Sequence, residues 1–201
     1  MSIISKTERK VFIIESLDFK DEDMNLFEGH IISNILQLSN IESKYYYVRT
    51  KKEFEKVTEL FNNSNYRYLH ISCHGGENSI WTTLDKISFE QLGVILKDSL
   101  NRKRLFLSAC SVVNNELAKQ IIPKTGCISI IGPQKNIEFR DATIMWASFY
   151  HLMFKEDSIG MSRSGIKENL QIVVTTFEQP FNYFSSSRRN VLKKLIMNSK
   201  S

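Results

Sequence analysis

The feature that most narrows the fold of this chain is an alternation. Five short apolar runs, "KVFIIESL" (10–17), "KYYYVRT" (44–50), "YRYLHISCH" (66–74), "KRLFLSAC" (103–110) and "GCISIIG" (126–132), are each followed by a segment with helical spacing. In the first run Val11, Phe12, Ile13 and Ile14 are continuous rather than alternating, as in a strand buried on both faces. The segment after it, 21–40, opens with acids that complement a helix dipole and carries Leu26, Phe27, Ile31, Ile35 and Leu38 near helical spacing. Phe54, Val57, Leu60 and Phe61 mark one face of a helix over 51–63, and Ser88 stands in capping-box register with Gln91 at the start of a helix over 87–100. Further helices are predicted over 114–122, 140–154 and 162–177, and a small hairpin or extended loop over 77–86. Strands joined by helix-length connections run parallel. The expected fold class is therefore α/β, three layers with a central, mostly parallel sheet and helices on both faces.

Composition supports one core. A chain of 201 residues suits a single domain over 1–201, and 42% apolar with 24% charged residues and only three prolines is ordinary for a globular protein. The net charge of +5 is a local matter. Residues 185–201 hold Arg188, Arg189, Lys193, Lys194 and Lys200 with no acid, so the body balances its 22 acids with as many bases and no nucleic-acid partner is expected. Within this basic C-terminal helix or tail, "RRNVLKKLIM" (188–197) reads as an amphipathic helix, and "EQPFNYFSSS" (178–187) as a turn or extended segment whose Phe181, Tyr183 and Phe184 could wall a pocket. Three cysteines, and an N-terminus without the succession of a signal peptide, point to a reducing, cytoplasmic setting. No apolar stretch approaches the roughly 18 to 20 residues of a membrane span.

In such a sheet, reactive groups gather beyond the C-terminal ends of the strands. Two strands end on them: the third delivers Cys73, His74, Gly75 and Gly76, and the fourth delivers Cys110 in "LSACS". If these strands are neighbours, a thiol and an imidazole share one crevice. A thiol with a pKa of about 8.5 becomes an effective nucleophile where an imidazole stabilises its thiolate, and the imidazole then protonates the leaving amine. A glycine after the histidine lets a substrate approach closely and offers an N–H to a developing oxyanion. The helix opening at Asn114 or Asn115 would add its N-terminal dipole. The competing reading is a pair of buried, inert cysteines. A zinc site from Cys73, His74 and Cys110 lacks both CxxC spacing and a fourth ligand, so no metal and no cofactor are expected.

Residues 66–154 resemble the caspase-like cysteine peptidases, in particular the bacterial CHAT-type branch related to separase. The resemblance is carried by "HISCHG" at one strand end, "RLFLSAC" at the other, the intervening "ENSIWTTLDKISFEQLGVIL" and the later "DATIMWASFYHLMF". It implies a caspase-like sandwich and a cysteine endopeptidase, with His74 as general acid and base, Cys110 as nucleophile, and Gly75 with the Cys110 amide as oxyanion donors. Cys73 is given no role by it, and Cys127 lies mid-strand as a core residue. By position, Asp141, with Glu138 close by, resembles the acid that receives a basic side chain before the cut; the same residue also reads as a first-turn helix acid. His70 shares the strand face of His74 and reads as a core histidine. The resemblance further implies a protein or peptide substrate, control by an activating partner or small ligand, and a role in bacterial regulated proteolysis or antiviral defence. Basic specificity would make Arg188 and Arg189 a point of self-processing. The rivals are a catalytically silent caspase-like interaction module and a flavodoxin-like ligand-binding domain. The second lacks any phosphate-binding glycine loop after a strand.

Overall fold

The computed structural model describes residues 7–156, 161–186 and 192–197. Strand β1 (Glu8–Ser16) leads into two helices, α1 (Phe19–Asp23) and α2 (Glu28–Leu38), and then β2 (Ser43–Tyr47) and α3 (Lys51–Asn62). The sequence pattern predicted one helix over 21–40. It is interrupted because Asn25 takes a left-handed conformation with φ 63°, which ends α1 and turns the chain before α2. The Thr50 side chain caps α3 and Glu53 reaches back to the Thr50 backbone, a capping box that the sequence reading passed over.

Strand β3 (Tyr66–Gly76) outruns its neighbours and feeds the hairpin of β4 (Ser79–Trp81) and β5 (Lys86–Ser88). The hairpin falls where it was expected. Helix α4 (Phe89–Ile95) then starts from the Ser88–Gln91 capping box, and β6 (Arg104–Ser108), α5 (Asn115–Thr125), β7 (Ser129–Pro133) and α6 (Phe139–Glu156) complete the alternation. After α7 (Arg163–Phe177) come β8 (Phe181–Ser186) and β9 (Leu192–Met197).

The sheet order is β2-β1-β3-β6-β7-β8-β9, parallel from β2 to β7 and antiparallel at β8 and β9. This is the mostly parallel α/β sandwich predicted from the alternation. The C-terminal segment is a correction: residues 192–197 are not a helix but an edge strand paired with β8. Arg188 and Arg189 lie outside the described residues. Phe181, Tyr183 and Phe184 are each at most 1% exposed and pack in the core.

Strand parity sorts the core into two layers. Phe12, Ile14, Leu69, Ile71, Leu105 and Leu107 face α3, α4 and α5, with Phe54, Phe61, Leu92 and Leu117 packed against them. Val11, Ile13, Tyr68 and Phe106 face α2, α6 and α7, meeting Ile32, Met145, Trp146, Tyr150 and Leu170. Polar groups interrupt the second face toward the strand ends: Glu15, His70, Ser72 and Ser108 are all buried there.

Glu15 is the one whose charge state bears on stability. Its carboxylate is fully buried, and burial pushes it up to about 7, although the Gly29 N–H and the Tyr45 hydroxyl donate to it. A carboxyl raised in the folded state contributes stability that is present below its ordinary value of 4.5 and lost as the pH rises through 7. Glu15→Gln keeps an acceptor for Gly29 and removes the charge. The variant is expected to match the parent in urea unfolding at pH 4.5 and to exceed it by about 3 kcal/mol at pH 8. An equal difference at both pH values would show that charge is not the cause.

Candidate active site

Strands β3 and β6 are adjacent and parallel, and Ser72 pairs with Ser108. Two residues further along each chain stand His74 and Cys110. Register thus brings His74, still within β3, and the turn that follows β6 and carries Cys110 to the same end of the sheet, on strands about 4.8 Å apart. Both line a cleft of about 770 Å³, together with Asp18, Asp21, Glu28, Ser108, Glu138 and Phe139. The neighbour relation that the sequence reading required is met.

The chain turns sharply at the nucleophile's position. β6 ends at Ser108, two residues before Cys110, and Ser111 follows in a left-handed conformation with φ 57°. A non-glycine residue held there stores strain of a kind that clusters at functional sites. The turn leaves Cys110 half-buried, its thiol donating to the Ile137 carbonyl at 3.6 Å. Cys73 and Cys127 are different in kind. Both are buried in the opposite layer, and burial pushes each thiol up to about 12. Cys73 borders the same cleft but is buried, and it packs with Ile71 and Ile80 as a small apolar side chain.

His74 is held from two sides. Its Nε2 lies 2.5 Å from Asp21 Oδ2 and 3.8 Å from Asp18 Oδ2, and the Phe139 ring meets the imidazole edge to face at 5.4 Å. Asp21 is only 7% exposed. With the Nε2 proton donated to Asp21, the lone pair lies on Nδ1, the nitrogen left to accept a proton. Asp18 in turn caps α1 by accepting from the Asp21 N–H at 2.8 Å, which fixes the carboxylate that fixes the histidine. Sequence reasoning treated the acids of 21–23 as dipole partners and missed Asp21. The signal was its place in α1, just beyond the C-terminal end of β1, the end of the sheet where a parallel fold gathers its chemistry. Asp18, Asp21 and His74 also bring three ligand atoms within 4.8 Å of one another. The imidazole–carboxylate bond and the helix cap account for that proximity.

Gly75 leaves no space for a side chain. A Cβ there would lie 2.3 Å from Val112 Cγ2 and 3.1 Å from the Ser79 carbonyl. Glycine lets β3 press against the turn that carries Cys110. The dipole expected from α5 is already engaged, because Asn114 Oδ1 accepts from the N–H groups of Glu116 and Leu117.

The two acids expected to bind substrate fare differently. Glu138 lines the cleft rim and is 79% exposed at its side chain. Asp141, in the first turn of α6, is not among the lining residues; it accepts from Arg140 at 3.4 Å, and Arg140 also pairs with Glu138 at 3.6 Å. His70 is fully buried, its Nδ1 3.0 Å from the Tyr150 hydroxyl, in keeping with a core position. His30 and His151 are exposed.

No protein-family model matches this chain, and no curated protein matches it in sequence. Solved structures do. The crystal structure of iotapain, a secreted C11 cysteine protease from Bacteroides thetaiotaomicron, superposes with a TM-score of 0.58 at 11% identity, covering 90% of this chain and 66% of that one. A structure of a secreted C11 cysteine protease from the same organism, in complex with an irreversible peptide inhibitor, gives 0.57 at 12% identity over 88% and 66%. The fold is thus the caspase-like one. This chain spans just under two thirds of the length of those proteases.

Proposed function

We propose that this chain is a cysteine endopeptidase working through His74 and Cys110. The observation that carries the reading is a single cleft holding an accessible thiol and an imidazole fixed by a buried carboxylate. In this reaction Nδ1 of His74 takes the thiol proton, and Cys110 Sγ forms a bond to the scissile carbonyl carbon. The carbonyl oxygen becomes an oxyanion held by the Gly75 and Cys110 amides. Collapse breaks the C–N bond, His74 returns the proton to the leaving amine, and water, deprotonated by His74, releases the acyl group. Asp21 touches no substrate atom; it sets the tautomer and stabilises the transient imidazolium.

The preferred substrate is a protein cut after arginine or lysine. Four carboxylates, Asp18, Asp21, Glu28 and Glu138, line the cleft against the cations Lys20 and Arg140, and a negative cleft attracts basic chains. The motifs around His74 and Cys110 favour the CHAT-type, separase-related branch, and with it a cytoplasmic enzyme switched on by a partner or small ligand during regulated proteolysis or antiviral defence. Among the described residues, no helix is long and apolar enough to cross a membrane.

Alkylation tests the reading before any substrate is known. Iodoacetamide is expected to modify Cys110 at least about 100-fold faster than Cys73 or Cys127, whose thiols are buried. His74→Ala should slow Cys110 toward an ordinary exposed thiol. Equal reactivity of Cys110 with and without His74, read by peptide mass mapping, would argue against the dyad.

A further inference from the structure

The floor of the cleft contains an acid that the reading above leaves without a task. Glu28 opens α2, is 2% exposed and lines the cleft with His74 and Cys110. Its Oε2 accepts from the Ser108 hydroxyl at 2.9 Å. Its Oε1 hydrogen-bonds to nothing among the described residues, although His70 Nε2 stands 3.5 Å away. That Nε2, which would form an ion pair with Glu28 Oε1 only as an imidazolium, and the neighbouring Ser72 hydroxyl likewise make no hydrogen bond among the described residues. Buried polar atoms are paired in nearly all folded proteins, and a buried carboxylate above all. What is missing at this spot is a group that donates hydrogen bonds and carries positive charge.

Position says where that group comes from. Ser72 and Ser108 lie opposite each other, two residues before His74 on β3 and before the turn residue Cys110. Two residues are roughly 7 Å of strand, so the carboxylate bound to Ser108 lies below the reacting level by about the reach of a lysine or arginine side chain, with its buried Oε1 making no hydrogen bond among the described residues. The other acids are already answered: Glu138 and Asp141 share Arg140 in solvent, and Asp21 is bonded to His74.

We propose that Glu28 determines specificity, receiving the guanidinium or ammonium of the residue that precedes the cut, while Ser108 holds its second oxygen. The assignment rests on the peptidase reading and moves the specificity acid from Asp141 and Glu138 to the floor of the cleft. A guanidinium suits the place, since its fork of N–H groups presents more than one donor to a carboxylate.

The test uses four irreversible acyloxymethyl ketone peptides, identical except for arginine, lysine, citrulline or aspartate at the position before the warhead. Labelling of Cys110 is followed by intact mass. The wild-type chain is expected to react with the arginine and lysine probes at least about 30-fold faster than with citrulline, which keeps the shape of arginine without its charge. Glu28→Gln should bring the arginine and lysine rates down to the citrulline rate and leave the citrulline rate within about threefold of wild type, while Asp141→Asn leaves the ratio unaltered. A Glu28→Gln chain that retains the preference, or that loses labelling by all four probes alike, overturns the assignment while the peptidase reading stands. The wild-type comparison of arginine with citrulline needs no variant, and equal rates there overturn it too. Failure of the wild-type chain to react with any probe overturns the peptidase reading and this proposal with it.

Discussion

Cys110→Ala is expected to lower peptide hydrolysis by at least about 10⁴-fold, and His74→Ala by about 10³-fold or more, with both chains folded as the parent. The asymmetry follows from the chemistry. Without Cys110 no acyl-enzyme forms, whereas without His74 an accessible thiol remains and attacks slowly. Neither side chain supports the core: both lie at the ends of their strands and line the cleft, so thermal midpoints should move by no more than a few degrees. Asp21→Asn belongs to the same series with a smaller effect, about 10- to 100-fold, because the amide oxygen can still accept from His74 Nε2 but no longer carries the charge that stabilises the imidazolium. Its loss should fall on kcat and leave KM in place, since Asp21 meets the histidine rather than the substrate. The measurement is steady-state hydrolysis of a fluorogenic peptide with a basic residue before the cut, with and without an activating ligand. Loss of activity in Asp21→Asn through KM alone would remove Asp21 from the catalytic unit, and full activity in Cys110→Ala would remove the mechanism.

The histidine and the cysteine were legible because each is a chemical anomaly at the end of an apolar run, and parallel folds place such ends together. Asp21 was not, because nothing local distinguishes it from the acids beside it. Its role arises only when α1, after β1, lies over the end of β3, an encounter across 53 residues of sequence. Glu28 was hidden for the same reason. It reads as an ordinary first-turn acid until Ser108, 80 residues away, is seen to hold one of its oxygens. Asp141 is the converse case, a residue singled out by position in a motif whose carboxylate turns to its neighbour Arg140.

Elements followed the same division between local and distant causes. The Ser88–Gln91 cap and the buried strands declare themselves within a few residues, and the structure places them where the pattern did. The segment 192–197 did not. "LKKLIM" fits an amphipathic helix as readily as a strand, and it is extended because β8 presents an unpaired edge that takes it. Short apolar runs of this length are decided by tertiary pairing rather than by their own propensity.

Gly132→Ala is expected to be the most damaging single methyl in the sheet. A Cβ at this position of β7 would lie 2.2 Å from the Leu107 carbonyl oxygen and 2.5 Å from Val113 Cγ2. The first of these is backbone of β6 and cannot rotate away, so β7 must separate from β6, and the strain passes directly to Ser108 and the Cys110 turn. Overpacking of this kind costs about 2 to 4 kcal/mol, which for a chain of this length lowers the thermal midpoint by roughly 5 to 15 °C. Gly76→Ala supplies the control, because a Cβ there meets nothing nearer than Trp81 Cζ2 at 3.7 Å, an ordinary contact. The pair of melting curves separates a specific close approach of two strands from a general intolerance of alanine at this end of the sheet. A Gly132→Ala chain that melts with the parent would mean that β6 and β7 have room to spare. The position of Cys110 would then depend on the Ser111 turn rather than on the packing of the strand beneath it.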